Sequence, residues 1–343
     1  MTPVSFPISP ATAPARWYRD PDIFARERAA IFAKSWQFAT HVSALPAPGS
    51  WRALTIAGYP LLIVRDEKGA LRGFHNVCRH RAGPLTEGEA GQCDGALTCR
   101  YHGWRYALDG RLRAARDFGA AADFDPRAFS LFPLRIETWR GLVFANMDGS
   151  AAPLAHMLAP LDARLGDADW TPLSIALTRA HDLACNWKTY VENYLEGYHV
   201  PAMHPGLDAE VDASRYVVRM EGRIAIHEVP MRAADAVYDG LWAWAWPNLG
   251  INIYARGLML ERMAPNGVGG TRLEYLYLMP AGESVSAATL AMSDAVTAED
   301  KWITERVQEN LNAGVYEAGR LSPKHENGVA AFQAFVRASL GES

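Results

Sequence analysis

The chain has 343 residues, of which 49% are hydrophobic and 21% are charged. This composition is typical of a globular protein of about two domains, and it excludes a disordered or repeat chain. Thirty-four basic and 38 acidic residues give a net charge of -4, so the charge balance predicts neither a nucleic-acid partner nor an anionic membrane. Four cysteines are too few for a disulfide scaffold in a chain of this length. Metal chemistry is therefore the first possibility to consider.

The first sixteen residues contain four prolines, with neither a basic segment nor a continuous apolar one. This pattern does not predict a signal peptide, and we expect a cytoplasmic protein. The most apolar later stretch, residues 240–260, is interrupted by Pro247, Asn252 and Arg256. A bilayer span needs about 20 predominantly apolar residues, so no membrane segment is predicted.

The N-terminal residues predict one helix followed by a small β domain. Asp20 and Pro21 form a typical helix start, and apolar spacing continues the predicted helix to near Trp36. Short β-type runs separated by turn residues then extend from position 51 to 147. Asp109-Gly110 predicts a two-residue hairpin turn, since both of these residues can take positive φ. We therefore expect an N-terminal arm and helix at 1–40 and an antiparallel β domain at 41–150.

The second half of the chain predicts an α+β domain at 151–343. One short helix is expected between 151 and 172, and a second over 186–199, which Pro201 ends near Val200. The following runs alternate polar and apolar residues between turns and predict an antiparallel sheet. Helical periodicity returns over 286–313 and 328–340. The predicted fold class is thus α+β, a small antiparallel β domain followed by a sheet covered by helices.

Two short segments within the β domain each pair a cysteine with a histidine. The segment C-R-H contains Cys78 and His80, and C-R-Y-H contains Cys99 and His102. A [2Fe-2S] cluster with two thiolates on one iron and two imidazoles on the other needs this set of donors. Zinc also accepts two cysteines and two histidines, but zinc fingers group cysteine with cysteine and histidine with histidine. The mixed pairs therefore favour the iron-sulfur cluster.

A second candidate metal site lies in the segment N-Y-L-E-G-Y-H-V-P-A-M-H, which contains Glu196, His199 and His204. Two histidines and one carboxylate form the facial triad of non-haem Fe(II) oxygenases, which leaves positions open for oxygen. Pro201 interrupts the helix, so His204 can turn back toward His199. Glu196 shares a helical face with His199, and this spacing suits a metal ligand and an outer carboxylate that orients the histidine equally well.

The segment C-R-Y-H-G-W-R-Y-A-L-D-G resembles the second cluster loop of the Rieske family, with Arg100 in place of a frequent proline. Together with N-W-K at 186–188 and the two-histidine segment, it resembles the α subunits of Rieske non-haem iron oxygenases over nearly the whole chain. The resemblance implies a Rieske domain followed by a helix-grip catalytic domain. It also implies cofactor binding by a [2Fe-2S] cluster at Cys78, His80, Cys99 and His102 and by a mononuclear Fe(II).

The same resemblance implies further roles at the iron. The ligands would be His199, His204 and Asp300, with adjacent Glu299 as the competing carboxylate. Glu196 would connect the iron site to the cluster of a neighbouring subunit. Many members have Asp at this position, and the glutamate here resembles the carnitine monooxygenase and glycine betaine branches. Residues 316–333 resemble the choline monooxygenase branch.

The resemblance also implies partners. The sequence contains no dinucleotide-binding motif, so electrons would come from a separate flavin and iron-sulfur reductase. The co-substrates would be O2 and a small organic molecule, and the assembly would be a homotrimer.

Aromatic residues are the candidate substrate contacts, namely Tyr198, Trp244, Trp246 and Tyr254. Quaternary ammonium groups bind well against such ring faces, whereas the alternation of the tryptophans on one strand also suits packing against a helix. We therefore expect an oxygenase that hydroxylates or demethylates a betaine-type compound. The alternatives are an oxygenase of aromatic acids and a Rieske electron carrier with a ligand-binding domain.

Overall fold

The structure is a computed structural model that describes residues 9–233, 236–237, 240–254 and 256–342. The first eight residues of the predicted arm lie outside the described residues. The chain divides into two compact units. We call residues 33–153 with 169–172 the β unit, and the described residues up to 32, 154–168 and those from 173 onward the α+β unit. The predicted N-terminal helix therefore belongs to the α+β unit. Over the described positions, no helix is both long and apolar enough to cross a membrane.

The β unit consists of two antiparallel sheets. The strands are β1 (Gln37–His41), β2 (Ser50–Ile56), β3 (Tyr59–Arg65), β4 (Leu71–His75), β5 (Ala90–Gln92), β6 (Leu97–Thr98), β7 (Arg105–Tyr106), β8 (Leu112–Ala114), β9 (Pro133–Trp139) and β10 (Leu142–Asn146). Seven strands pair in the order β1-β10-β9-β4-β3-β2-β5, and a smaller sheet pairs β6-β7-β8. This arrangement confirms the predicted small antiparallel β domain.

The hairpin between β7 and β8 differs from the predicted two-residue turn. The N–H of Gly110 donates to the carbonyl of Ala107 at 2.9 Å, which closes a turn with Leu108 and Asp109 at its centre. Gly110 follows at φ +90°, whereas Asp109 is not among the positive-φ residues. The prediction of a two-residue turn was wrong, because the connection has three residues, Leu108 to Gly110, between the bonded Ala107 and Arg111. Only the last of them needs positive φ, which glycine adopts without steric cost.

The α+β unit is one antiparallel sheet with helices packed against it. Its strands are β11 (Ser174–Leu183), β12 (Val217–Glu221), β13 (Ile224–Glu228), β14 (Gly240–Ala245), β15 (Leu249–Tyr254), β16 (Gly257–Pro265) and β17 (Thr271–Met279). They pair in the order β11-β17-β16-β15-β14-β13-β12, so six consecutive strands form a meander and β11 closes one edge. Its helices are α1 (Pro21–Glu27), α2 (Leu154–Leu165), α3 (Trp187–Tyr194), α4 (Val200–Met203), α5 (Pro205–Glu210), α6 (Ala287–Asn312) and α7 (Asn327–Leu340). The predicted α+β class is confirmed.

The N-W-K segment anchors α3. Asn186 caps the helix, since its side-chain oxygen accepts from the N–H of Lys188 at 3.0 Å. Lys188 is fully buried and pairs with Glu27 at 2.6 Å, and the Trp187 indole N–H donates to the same carboxylate at 2.9 Å. Trp187 packs edge-on against Phe32, with ring centroids 4.9 Å apart. These contacts fix the helix that supplies one wall of the site described below.

The helix predicted over 186–199 ends earlier, at Tyr194. A loop follows, and Pro201 does not end a helix but lies in the first turn of α4. Proline is favoured there, because the N–H it lacks has no partner inside the helix at that position. His199 precedes α4 and His204 follows it, so one short helical turn separates the two histidines.

Candidate functional site

The two Cys-His segments of the β unit form two loops with the same hydrogen bonds. The N–H of Cys78 donates to the carbonyl five residues later at 2.8 Å, and its carbonyl accepts from the N–H four residues later at 3.1 Å. Cys99 repeats both bonds at 2.9 Å. The residues four positions after each cysteine, Ala82 and Gly103, both take positive φ, at +57° and +72°. The repeated geometry presents both Cys-His pairs in equivalent positions.

The four side chains of these loops meet at one place. The Nδ1 atoms of His80 and His102 lie 3.1 Å apart. Cys78 and Cys99 are buried, and their thiols interact with each other. The Tyr106 hydroxyl lies 3.2 Å from the Cys78 sulfur and accepts a bond from the backbone at position 79. Two converging imidazole nitrogens beside two buried thiols fit a [2Fe-2S] cluster with mixed ligation.

The α+β unit contains a triangle of possible metal ligands. His199 Nε2 and His204 Nε2 lie 3.0 Å apart, and Asp300 Oδ1 lies 3.1 Å from His204 Nε2 and 3.8 Å from His199 Nε2. Ligand atoms about 2.1 Å from one ion and at right angles to each other lie about 3.0 Å apart. The triangle therefore fits one iron bound on a single face, with its remaining positions open.

Outer polar groups fix the orientation of all three side chains. The Nδ1 atom of His199 lies 2.5 Å from Glu196, and the Nδ1 atom of His204 lies 2.7 Å from Glu299. The Asn193 amide donates to Asp300 at 2.7 Å. Carboxylates on the far ring nitrogens leave both Nε2 atoms free to face a metal. The structure thus places Asp300 in the triangle and Glu299 behind a histidine.

The same three residues line a cavity of about 100 Å³. Its floor is the face of the sheet formed by β13 to β17, and α3 and α6 contribute to its walls. Drug-sized ligands occupy cavities of about 300–1,000 Å³, so this one suits a small molecule. Aromatic side chains contribute much of the lining, namely Tyr190, Tyr194, Tyr216, Trp242, Tyr254 and Tyr275.

Glycines allow two of these rings to approach the backbone closely. A methyl group on Gly250 would lie 3.0 Å from the Tyr194 ring and hydroxyl, and one on Gly197 would overlap the ring of Tyr216. The Tyr194 hydroxyl donates to Asn252 at 2.9 Å, and the Tyr216 hydroxyl lies 2.7 Å from the Nδ1 atom of His227. Hydrogen bonds from the two hydroxyl groups thus fix the orientation of these tyrosine rings in the cavity wall.

Burial shifts the pKa values of an imidazole and a carboxyl group in the lining, those of His227 and Glu261. Burial lowers the pKa of His227 to about 3, so this imidazole is neutral. Glu261 is 4% exposed, and burial raises its pKa to about 8. Among the described lining residues, none is lysine or arginine.

The four candidate substrate contacts have different surroundings. Tyr254 lines the cavity. Trp244 and Trp246 do not; they are buried against Phe332 of α7, with ring centroids 5.8 and 6.0 Å away. Tyr198 is 59% exposed and stacks on a histidine outside the cavity. Of the four, the structure thus places only Tyr254 in the cavity lining. Helix α7 packs against Trp244 and Trp246, and Tyr198 is exposed.

Sequence reasoning did not name four further residues of the cavity lining, namely Tyr190, Tyr194, Glu261 and Tyr275. The tyrosines of α3 lie within the segment already singled out for its histidines. A usable signal for Glu261 was its place in the apolar strand segment G-L-M-L-E-R-M. Burying an acid there costs free energy, so its presence indicates a functional role.

A β unit with a mixed Cys-His cluster site and an α+β unit with a two-histidine, one-carboxylate site define an iron-dependent oxygenase. Comparison with protein families agrees. Residues 35–125 match the Rieske [2Fe-2S] domain, and residues 173–342 match the ring hydroxylating alpha subunit (catalytic domain).

Whole-chain relatives extend the match. The carnitine monooxygenase oxygenase subunit of Escherichia coli (strain K12) is 31% identical, over 94% of this chain and 91% of its own length. Chloroplastic choline monooxygenase of Beta vulgaris is 28% identical, over 97% and 78%. The crystal structure of the quaternary ammonium Rieske monooxygenase CntA in complex with L-carnitine superposes with a TM-score of 0.85 at 28% identity, over 97% of this chain and 96% of that one.

The chain belongs to the family of Rieske non-haem iron oxygenase α subunits. It is an oxidoreductase that incorporates oxygen from O2, and its cofactors are a Rieske [2Fe-2S] cluster and a mononuclear iron. These findings confirm the family, the enzyme class and the cofactors expected from the sequence.

Proposed function

We propose that this oxygenase hydroxylates or oxidatively demethylates a small quaternary ammonium compound. The observation that supports this most directly is the cavity beside His199, His204 and Asp300, which is rich in aromatic faces and acids and, among its described residues, has no basic side chain. The relatives point the same way, since those reported above are carnitine and choline monooxygenases.

The lining suits a cation that has no hydrogen to donate. A trialkylammonium group is attracted by the negative face of a tyrosine or tryptophan ring, with about 2 kcal/mol or more for a desolvated contact. Six aromatic rings and three carboxylates line this small cavity. An aromatic acid would meet the same rings but would place its carboxylate among other negative charges, so the cavity does not favour that alternative.

We assign His199, His204 and Asp300 as the ligands of the mononuclear iron. We assign Cys78, His80, Cys99 and His102 as the ligands of the Rieske cluster. When bound, the cluster supplies electrons and the iron supplies the site at which O2 reacts. Glu196 and Glu299 hold the two histidines in the tautomer that presents Nε2 to the metal.

Glu196 has a second proposed role. It accepts hydrogen bonds from the backbone N–H groups of Tyr198 and His199 as well as contacting the imidazole of His199. This bonding holds the carboxylate at the ring of one iron ligand, where it can connect that ligand to the cluster of a neighbouring subunit. The structure of a quaternary ammonium Rieske monooxygenase that is 28% identical to this chain gives insights into inter-subunit electron transfer. We propose such a transfer here, in a homotrimer.

The electron donor we propose is a separate flavin and iron-sulfur reductase that oxidises NAD(P)H, with both proteins in the cytoplasm. Size-exclusion chromatography with light scattering tests the trimer. Reconstitution with a candidate reductase tests the donor, and cell fractionation tests the location.

The activity is tested by a single turnover without any reductase. The iron-loaded protein is reduced chemically, mixed with O2 and incubated with methylated ammonium compounds and aromatic acids, and the products are analysed by mass spectrometry. We expect oxygen gain or methyl loss on an ammonium compound. Oxidation of an aromatic acid alone would refute the proposal. An electron carrier would give no product and two irons per chain, where an oxygenase has about three.

A further inference from the structure

We propose that Glu261 is the residue that selects the positively charged group of the substrate, and that this substrate is an alkylammonium compound without a carboxylate. This inference rests on the function proposed above and narrows its substrate class. It separates this chain from a carnitine-type enzyme, since carnitine carries both an ammonium group and a carboxylate.

The position of Glu261 supports the first half of the inference. It lies on β16 two residues after Met259, and because strand side chains alternate, both point to the same face, where both line the cavity. Its neighbour on β17 in the strand register is Tyr275, and its carboxylate bonds to the hydroxyl of Tyr190. Glu261 thus lies between two aromatic residues of the cavity lining.

Glu261 is buried without a cation. It is 96% shielded from solvent, and within the described part of the chain no lysine, arginine or histidine forms an ion pair with it. Burial of a carboxyl group with only a hydroxyl partner is unfavourable for its charged form, which agrees with its raised pKa. A cation that enters the cavity to within about 4–6 Å would supply the missing charge.

The other acids of the lining support the second half. Glu196 and Asp300 also face the cavity. Asp300 is assigned to the iron and Glu196 contacts an imidazole. Because both are acids, neither can attract a substrate carboxylate. No described lining residue is lysine or arginine, and the internal positions outside the described ranges, 234, 235, 238, 239 and 255, are Ala, Asp, Tyr, Asp and Ala. A substrate carboxylate would therefore meet no basic side chain among the described lining residues, and the acids Asp300 and Glu196 already offset the charge of a bound iron.

The test measures binding to the iron-loaded protein by isothermal titration calorimetry without O2. Choline and tetramethylammonium serve as cations without a carboxylate. L-Carnitine and γ-butyrobetaine serve as cations with one, and 3,3-dimethyl-1-butanol serves as the neutral isostere of choline. We expect choline to bind at least about tenfold more tightly than either carboxylate compound and than the neutral isostere.

A substitution then tests the residue. Glu261→Gln should weaken choline binding about ten- to hundredfold and leave binding of the neutral isostere within about twofold. Glu228→Gln, an exposed acid of β13 paired with Arg219, is the matched control and should change neither. If Glu261→Gln does not fold, Glu261→Asp keeps the charge one methylene further away and should give a smaller loss for choline only.

The outcomes separate the two proposals. Equal affinity for carnitine and choline would overturn the inference and leave the quaternary ammonium function intact. An equal loss for choline and its isostere in the Glu261 variant would overturn the role of this residue. If no cation binds and the single turnover oxidises an aromatic acid, the proposed function fails as well.

Discussion

The buried pair of Lys188 and Glu27 gives the sharpest prediction about stability. The Nζ and Oε1 atoms lie 2.6 Å apart, and the side chains are 1% and 0% exposed. Lys188→Met removes the cation and leaves the Glu27 carboxylate buried with only the Trp187 N–H as partner. Breaking a buried pair in this way costs about 3–5 kcal/mol, since one charge remains uncompensated.

This cost converts into a shift of the melting temperature. The α+β unit has roughly 220 residues, for which the unfolding entropy is about 0.46 kcal/mol/K. A loss of about 4 kcal/mol then lowers the melting temperature by about 9 °C. Differential scanning calorimetry of the iron-loaded protein measures this shift.

A double variant separates charge from packing. Glu27→Gln with Lys188→Met removes both charges, and the amide oxygen still accepts from Trp187. We expect it to regain about half of the lost stability, because the new amide N–H2 lacks a partner and costs about 1–3 kcal/mol. If the double variant melts as low as the single one, or the single one melts within about 2 °C of the parent, the charge argument is wrong.

Three further predictions concern the two metal sites and the cavity wall. Asp300→Ala should remove the mononuclear iron and keep the two cluster irons, whereas Glu299→Ala should keep all three irons and weaken binding of the mononuclear iron about 10–100-fold. Metal analysis of the two variants distinguishes these outcomes. Loss of the mononuclear iron from Glu299→Ala but not from Asp300→Ala would exchange the two roles. Tyr106→Phe should lower the cluster potential by on the order of tens of millivolts, because a hydrogen bond to the Cys78 sulfur favours the reduced cluster. Redox titration measures the cluster potential, and Tyr101→Phe, at an exposed tyrosine, is the control variant. An unchanged potential in Tyr106→Phe would contradict the prediction. Gly197→Ala should destabilise the protein by about 1–3 kcal/mol and raise KM, since the methyl group displaces Tyr216. The control is Gly269→Ala, where a methyl group meets open space, and it should change neither stability nor KM. Equal melting temperatures of the two variants would refute the argument.

The cluster site was predictable because its donors are close together in sequence. Each loop contributes one cysteine and one histidine within four residues, and the sequence fixes both spacings. The iron site was predictable only in part. His199 and His204 are local, but Asp300 and Glu299 are adjacent acids on α6, and spacing alone does not distinguish them. Only the direction of each side chain relative to the histidines, which depends on how α6 packs on α3, separates the two.

The tryptophans show a different limit. Alternation correctly places Trp242 and Trp244 on one face of β14, because strand side chains alternate, and Trp246 directly follows the strand. It does not show what covers that face. Trp242 lines the cavity, whereas the other two lie against Phe332 of α7. The helix that divides the face is more than 80 residues away in sequence, so no local pattern could reveal the boundary.

The four acids around the site divide by their partners, and this division supports a cationic substrate. Glu196 and Glu299 each contact a histidine ring, and Asp300 joins the two Nε2 atoms. Within the described part of the chain, Glu261 alone among these four forms no hydrogen bond or ion pair with a histidine, and its carboxyl group bonds to the hydroxyl of Tyr190. Three of these acids thus contact imidazole nitrogens, whereas burial raises the pKa of Glu261 to about 8 and leaves this carboxyl without a cation until one enters the cavity. Because an uncompensated buried acid lowers stability, its presence in the lining is best explained by a charge that arrives with the substrate.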